Sequence, residues 1–141
     1  YTVIKITDTS GKKLILRVVT NSVPYQKMPK IYVSHDFLIQ PYKFPVPCGR
    51  ALIEAMKVGC IPLTTGTNMY NENIIDGVNG FLLGFPLTQE SIVSAMKKSI
   101  DLTQRERNRM RKACIDTVKK LHSPNTATNL HVDSYKYVLE R

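Results

Sequence analysis

Three short stretches combine residue types at spacings that can do chemistry. Cys48-Gly49-Arg50 opens a run of good helix formers, Arg50 to Val58, which Gly59 closes. The first N–H groups of such a helix have no partner within it and carry the positive end of its dipole, so a phosphate suits them, and Gly49 lets it come close. Arg50 can clamp that phosphate or be an ordinary surface arginine. Glu54, one turn into the helix, can accept hydrogen bonds from a vicinal diol such as ribose, or be a solvated helix glutamate. Gly66-Thr67-Asn68 offers a second set of backbone donors, or is a plain loop.

The elements that would position these groups are legible from pattern. Asp36-Phe37-Leu38-Ile39-Gln40-Pro41 reads as a short buried strand stopped by proline, and Tyr42 to Gly49 as a proline-rich loop. The helix from Arg50 follows, then the strand Cys60 to Thr65 and its turn. Strand, helix and strand within about thirty residues make a βαβ unit, whose strands run parallel. Ligands bind such units in the crevice outside the carboxyl ends of the strands.

Upstream, Thr2 to Ile6 and Leu14 to Val19 alternate as two strands about a Ser10-Gly11 turn, and Pro24 to His35 can hold a short helix interrupted by Pro29. Downstream, Glu72 to Asp76 forms one helical turn, Val78-Asn79-Gly80 a tight turn, and Phe81-Leu82-Leu83 a last strand. Ile92, Ala95, Met96, Ser99 and Ile100 share one face of a helix from Gln89 to Leu102. Thr103-x-x-Glu106 is a capping box, opening a helix with Met110, Ala113, Cys114, Thr117, Val118 and Leu121 as its core stripe. Ser123-Pro124 caps a last helix carrying Leu130, Tyr137 and Val138.

The 141 residues, 43% hydrophobic and 22% charged, have the composition of one ordinary soluble domain, and disordered, collagen-like and membrane-spanning classes drop out. Neither a signal peptide nor an initiator Met begins the sequence, so a piece of a longer chain is expected. Cys48, Cys60 and Cys114 read as reduced, buried thiols, which places the protein in the cytoplasm. His35, His122 and His131 lack metal-ligand spacing, so neither a metal nor a cofactor is expected.

Twenty basic residues against 11 acidic ones give a net charge of +9, and an anionic partner follows. Arg105, Arg107, Arg109, Arg111, Lys112, Lys119 and Lys120 concentrate that charge on one helix. Its face is either solvated or turned to an anionic membrane surface. Nucleic acid is the outside alternative, since aromatics do not interleave with the basic run.

Three segments carry a likeness to a known family: Asp36 to Pro41, Cys48 to Leu63 with its Glu54-Ala55-Met56 and Gly59-Cys60-Ile61-Pro62, and Glu72 to Leu83 with its Asp76-Gly77-Val78-Asn79-Gly80-Phe81-Leu82. From Tyr32 to Leu121 the sequence resembles the C-terminal, nucleotide-sugar-binding half of retaining GT-B glycosyltransferases. The resemblance implies an α/β fold, an incomplete Rossmann-like parallel sheet of four to five strands with flanking helices and a helical C-terminal tail. It implies a donor site for a UDP- or GDP-sugar.

In that family a Glu, seven residues and a second Glu bracket the helix start. The second corresponds to Glu54 and holds the ribose, while amides beside Gly49 meet the diphosphate or the sugar. The first, which touches the donor sugar, falls at Val46, and Cys48 stands where the family usually has Phe. Valine cannot accept a hydrogen bond from a hexose. A backbone group or Glu72 then substitutes, or the donor differs, or the site is degenerate. The expected binding set is Val46, Cys48, Gly49, Arg50, Ala51, Glu54, Gly66, Thr67, Asn68 and Glu72, with no catalytic residue assigned. The family's acceptor-binding N-terminal domain has no counterpart in these residues, so residues 1–141 are expected to be the donor-binding domain of a two-domain enzyme. A non-catalytic interaction module and a basic nucleic-acid binder are the alternatives.

Overall fold

The computed structural model describes residues 2–7, 13–18, 22–45, 49–67 and 69–139. The Ser10-Gly11 turn, and Val46, Cys48 and Asn68 of the expected site, lie outside them. Strands β1 (Thr2–Thr7) and β2 (Lys13–Val18) pair antiparallel in a sheet of their own. A 3-10 turn, Tyr25–Lys27, leads into α1 (Met28–Val33). Then come β3 (Phe37–Gln40), α2 (Arg50–Lys57), β4 (Ile61–Thr65), α3 (Met69–Asn73) and β5 (Phe81–Leu83). Three helices close the chain: α4 (Gln89–Asp101), α5 (Gln104–His122) and α6 (Pro124–Leu139).

The fold is α/β, with the parallel βαβ arrangement that the sequence implies. Among the described residues the parallel sheet has three strands in the order β3-β4-β5, where four to five were expected. The two N-terminal strands do not extend it, because they satisfy each other's backbone as a separate ribbon. Strand β4 is buried along its whole length, as the central strand of a covered parallel sheet must be. Leu52 and Met56 of α2, Ile61 and Leu63 of β4, and Met110, Cys114 and Val118 of α5 form the centre of the core.

Glycine is required where the backbone comes closest. Gly59, at φ +78°, ends α2, and a Cβ there would meet the Arg111 Cβ at 3.4 Å and the Ile115 Cδ1 at 3.5 Å, so α2 and α5 pack closely at this point. A Cβ on Gly80 would lie 2.9 Å from both Cγ and the carbonyl oxygen of Pro62.

Two local expectations are corrected. Pro29 does not interrupt α1 but occupies its first turn, where the missing N–H costs nothing. The helical turn expected at Glu72 to Asp76 is α3, which starts earlier because Tyr70 N–H bonds the Thr67 carbonyl, and which ends at Asn73. Asp76 is thereby released, and its Oδ1 accepts the Leu82 N–H at 2.8 Å on β5. Leu130, Tyr137 and Val138 of α6 are exposed, and α6 buries no residue.

The capping box at Thr103 forms as expected: Thr103 N–H donates to the Glu106 carboxylate at 2.8 Å and Glu106 N–H returns to Thr103 Oγ1 at 3.3 Å. The Thr103 hydroxyl, which donates to the same carboxylate at 2.7 Å, and then the Thr103 N–H hold the Glu106 carboxyl below its ordinary range. Thr88 and Ser91 build a second box on α4 that the sequence reading passed over.

Cys60 and Cys114 are free and buried, as expected of reduced thiols. Burial pushes both up to about 12 from an ordinary 9.0. A folded pKa above the unfolded one means that the stabilisation is complete below pH 9 and is lost as the pH climbs toward 12. Thiolate is the reactive form, so alkylation at pH 8.5, mapped by mass spectrometry, is expected to spare Cys60 and Cys114 in the native protein and to modify both in urea. Rapid native labelling of either would contradict their burial.

Candidate functional site

The site lies where β3 and β4 end. Beyond β3 the chain turns at Tyr42, whose backbone exchanges two hydrogen bonds with Thr65 at the end of β4. Tyr42 N–H donates to Thr65 Oγ1 at 2.9 Å, and that hydroxyl donates to the Tyr42 carbonyl at 3.1 Å. Thr64 Oγ1 donates to the Gln40 carbonyl at 3.3 Å, so two threonines that fit a strand by β-branching also tie the following loop to it. Gln40 Nε2 reaches the Tyr42 hydroxyl at 3.1 Å.

On this base sits Tyr70 of α3, fully buried, its ring 5.7 Å from that of Tyr42. Its hydroxyl accepts the Gly49 N–H at 3.4 Å, and its own N–H bonds the Thr67 carbonyl at 3.1 Å. The start of α2 and the Gly66-Thr67 turn, separate in sequence, are thus brought together by one tyrosine. Gly49 caps α2 with its backbone extended at φ −74°, ψ 145° and with no side-chain capping hydrogen bond, and a helix start of this kind suits an anion. At Gly66 a Cβ would come within 3.1 Å of Asn71 Oδ1, so this turn also approaches closely. Thr67 is 8% exposed, and its hydroxyl has no hydrogen-bond partner among the described residues.

Of the remaining expected residues, Arg50 is exposed, Ala51 half-buried, and Glu72 exposed on α3. Glu54 is half-buried on α2, and its charge lies near the Tyr32 hydroxyl of α1. Burial first, then the Glu54 charge, pushes that hydroxyl from 10.0 up to about 12, with Tyr25 contributing in the same direction. Tyr32 is therefore a protonated donor at any working pH. Tyr32, Tyr42 and Tyr70 are the residues that the sequence reading missed. An aromatic within a helix or beside a proline reads as core, and only the spacing of Tyr70 two residues before Glu72 hinted otherwise.

The turn Asp76 to Gly80 has a structural part. Asn79, 1% exposed, accepts Ile75 N–H at 2.7 Å and donates to the Asn73 carbonyl at 3.0 Å and to Thr117 Oγ1 at 2.9 Å. It ties the segment entering β5 to α5. The basic helix is divided in its use. Arg107 and Arg111 pair with Asp36 at the start of β3, the end remote from the crevice. Arg105, Arg109, Lys112, Lys119 and Lys120 stay exposed, with Lys112 bridging to Asp116.

Residues 17–117, which include β3 through most of α5 and every residue of the expected site, match the family described as Glycosyl transferases group 1. The chain belongs to this family. Among its relatives is the glycogen synthase of Xanthomonas axonopodis pv. citri, 31% identical over 72 residues, which are 51% of this chain and 14% of the relative. The glycogen synthase of Pseudomonas aeruginosa is 33% identical over 73 residues, 52% of this chain and 14% of the relative. The matched segment thus spans only 14% of the length of these relatives, and α6 lies beyond the family match.

Proposed function

We propose that this chain is the donor-binding domain of a glycosyltransferase that moves a sugar from a nucleoside diphosphate to a glycan, lipid or protein acceptor. The observation that carries the reading is the coincidence of the family match with a helix start, Gly49 and Arg50, that Tyr70 joins to the Gly66-Thr67 turn at the ends of parallel strands. In this reading Glu54 holds the ribose diol, and the amides of Arg50 and Ala51, with the Arg50 guanidinium, meet the diphosphate, while the Gly49 N–H stays on the Tyr70 hydroxyl. As the bond between the sugar's anomeric carbon and phosphate oxygen breaks, the leaving diphosphate gains charge. Donors fixed beforehand at a helix start stabilise that charge without reorganising.

Val46 supplies no acceptor for the sugar, so the sugar side falls to Glu72, Thr67, Asn68 or backbone groups. The acceptor site belongs to a second domain that closes the cleft from the other side. The exposed cations of α5 are the face that an anionic membrane surface would meet, and nucleic acid is not a partner in this reading.

A half-cleft leaves its ligand partly exposed, so UDP- and GDP-sugars are expected to bind weakly but saturably. Titration of a nucleotide-sugar panel by calorimetry or NMR is the measurement. No saturable response at millimolar ligand would favour the second reading, an interaction module with a degenerate donor site, for which Val46 speaks.

A further inference from the structure

We propose that Tyr70 is a positioning residue for the diphosphate: its hydroxyl, by accepting the Gly49 N–H, fixes the start of α2 so that the next two amides meet the anion already in place. The proposal rests on the donor-site reading and assigns within it a residue outside the expected site. A side chain at the N-cap usually fastens a helix start, and in doing so it occupies the amide of the second or third residue. Gly49 makes no such bond. Tyr70 fastens α2 from another element, through the Gly49 N–H at 3.4 Å, and the Leu52 N–H returns to the Gly49 carbonyl at 3.1 Å. The amides of Arg50 and Ala51 lie between these two fastenings, and no side-chain cap occupies them. The tyrosine is itself held: it is fully buried, its ring lies 5.7 Å from that of Tyr42, its N–H bonds the Thr67 carbonyl at 3.1 Å and its carbonyl accepts the Ile74 N–H at 2.8 Å. The turn that it grips carries a second pointer to a ligand. Thr67 is 8% exposed, and its hydroxyl has no hydrogen-bond partner among the described residues. A buried hydroxyl without a partner costs stability, and a ligand that bonds to it removes that cost. One tyrosine thus ties the diphosphate amides of α2 to the turn that bears this hydroxyl, before any ligand arrives.

The variant is Tyr70→Phe, which keeps the buried ring and removes the hydroxyl. The probes are two pairs, UDP with uridine and GDP with guanosine, titrated by NMR. The wild-type chain should bind the diphosphate of at least one pair more tightly than its nucleoside. Tyr70→Phe should narrow that preference by about three- to tenfold, the scale of one hydrogen bond, while the nucleoside binds as before. A residue that merely packs would move both affinities together, and that result overturns the proposal. Should the wild type prefer neither diphosphate, the anion site at α2 fails and the donor-site reading with it. Should the wild type discriminate and Tyr70→Phe discriminate equally, only the role of Tyr70 fails.

Amide hydrogen exchange without ligand tests the fastening itself. The Gly49 N–H should exchange slowly in the wild type and faster in Tyr70→Phe. A rapidly exchanging Gly49 in the wild type overturns the proposal even if the variant does not fold, and equal protection in the two chains does so whatever the nucleotide result.

Discussion

Replacing Asn79 with alanine is expected to cost the fold about 3 kcal/mol, because a buried donor or acceptor left without its partner costs roughly 1–3 kcal/mol and Asn79 serves several at once. The Ile75 N–H, the Asn73 carbonyl and the Thr117 hydroxyl all bond its side chain. Thr117 retains the Ala113 carbonyl as an acceptor, so the loss falls mainly on the two backbone groups. The backbone carbonyl of Asn79, which accepts from the Cys114 thiol at 3.0 Å, survives the substitution in composition but loses the side chain that places it. Urea unfolding should show a clear fall in midpoint with an unchanged slope. A loss below about 1 kcal/mol, the scale of a single exposed hydrogen bond, would mean that the link between β5 and α5 is carried elsewhere.

The second large effect is on binding. Glu54→Gln keeps the shape of the side chain but removes the charge that strengthens its hydrogen bonds to a diol, a share of roughly 1–3 kcal/mol. Nucleotide affinity is then expected to fall by about tenfold or more, since 1.4 kcal/mol is a factor of ten. Thermal stability should hardly move. The position is half-buried on a helix of good formers, and glutamine is one of them. Calorimetric titration beside a melting curve separates the outcomes. A marked fall in melting temperature with nucleotide binding intact would make Glu54 a structural residue.

What could be read from the sequence was what depends on neighbours along the chain. Helix formers between Arg50 and Gly59, the box at Thr103 and Glu106, and the βαβ spacing all act over a few residues, and each reappears in the structure. What could not be read depends on distant partners. Pro29 looks like a breaker until the chain before it supplies a separate turn, and Asp76 looks helical until Leu82 offers it an N–H. Leu130, Tyr137 and Val138 keep core-like spacing on a helix that meets no core. Of the candidate site, the glycines and Glu54 could be nominated from the sequence because their chemistry is their own. The tyrosines that join them were not, because an aromatic acquires a positioning role only from what it is packed against.

The Asp76 carboxylate on β5 has a consequence for how this sheet can grow. The Leu83 carbonyl faces β4, where it accepts the Gly66 N–H, so the alternate Leu82 N–H points to the outer edge, and there Asp76 occupies it. An incoming strand on that side would have to displace a charged side chain before it could begin to zip. The opposite margin, β3, has no such guard and no neighbour among the described residues. Recruitment of further strands is therefore one-way. Any added strand joins at β3, and each such addition moves the end of β3, and the crevice beside it, from the rim of the sheet toward its middle.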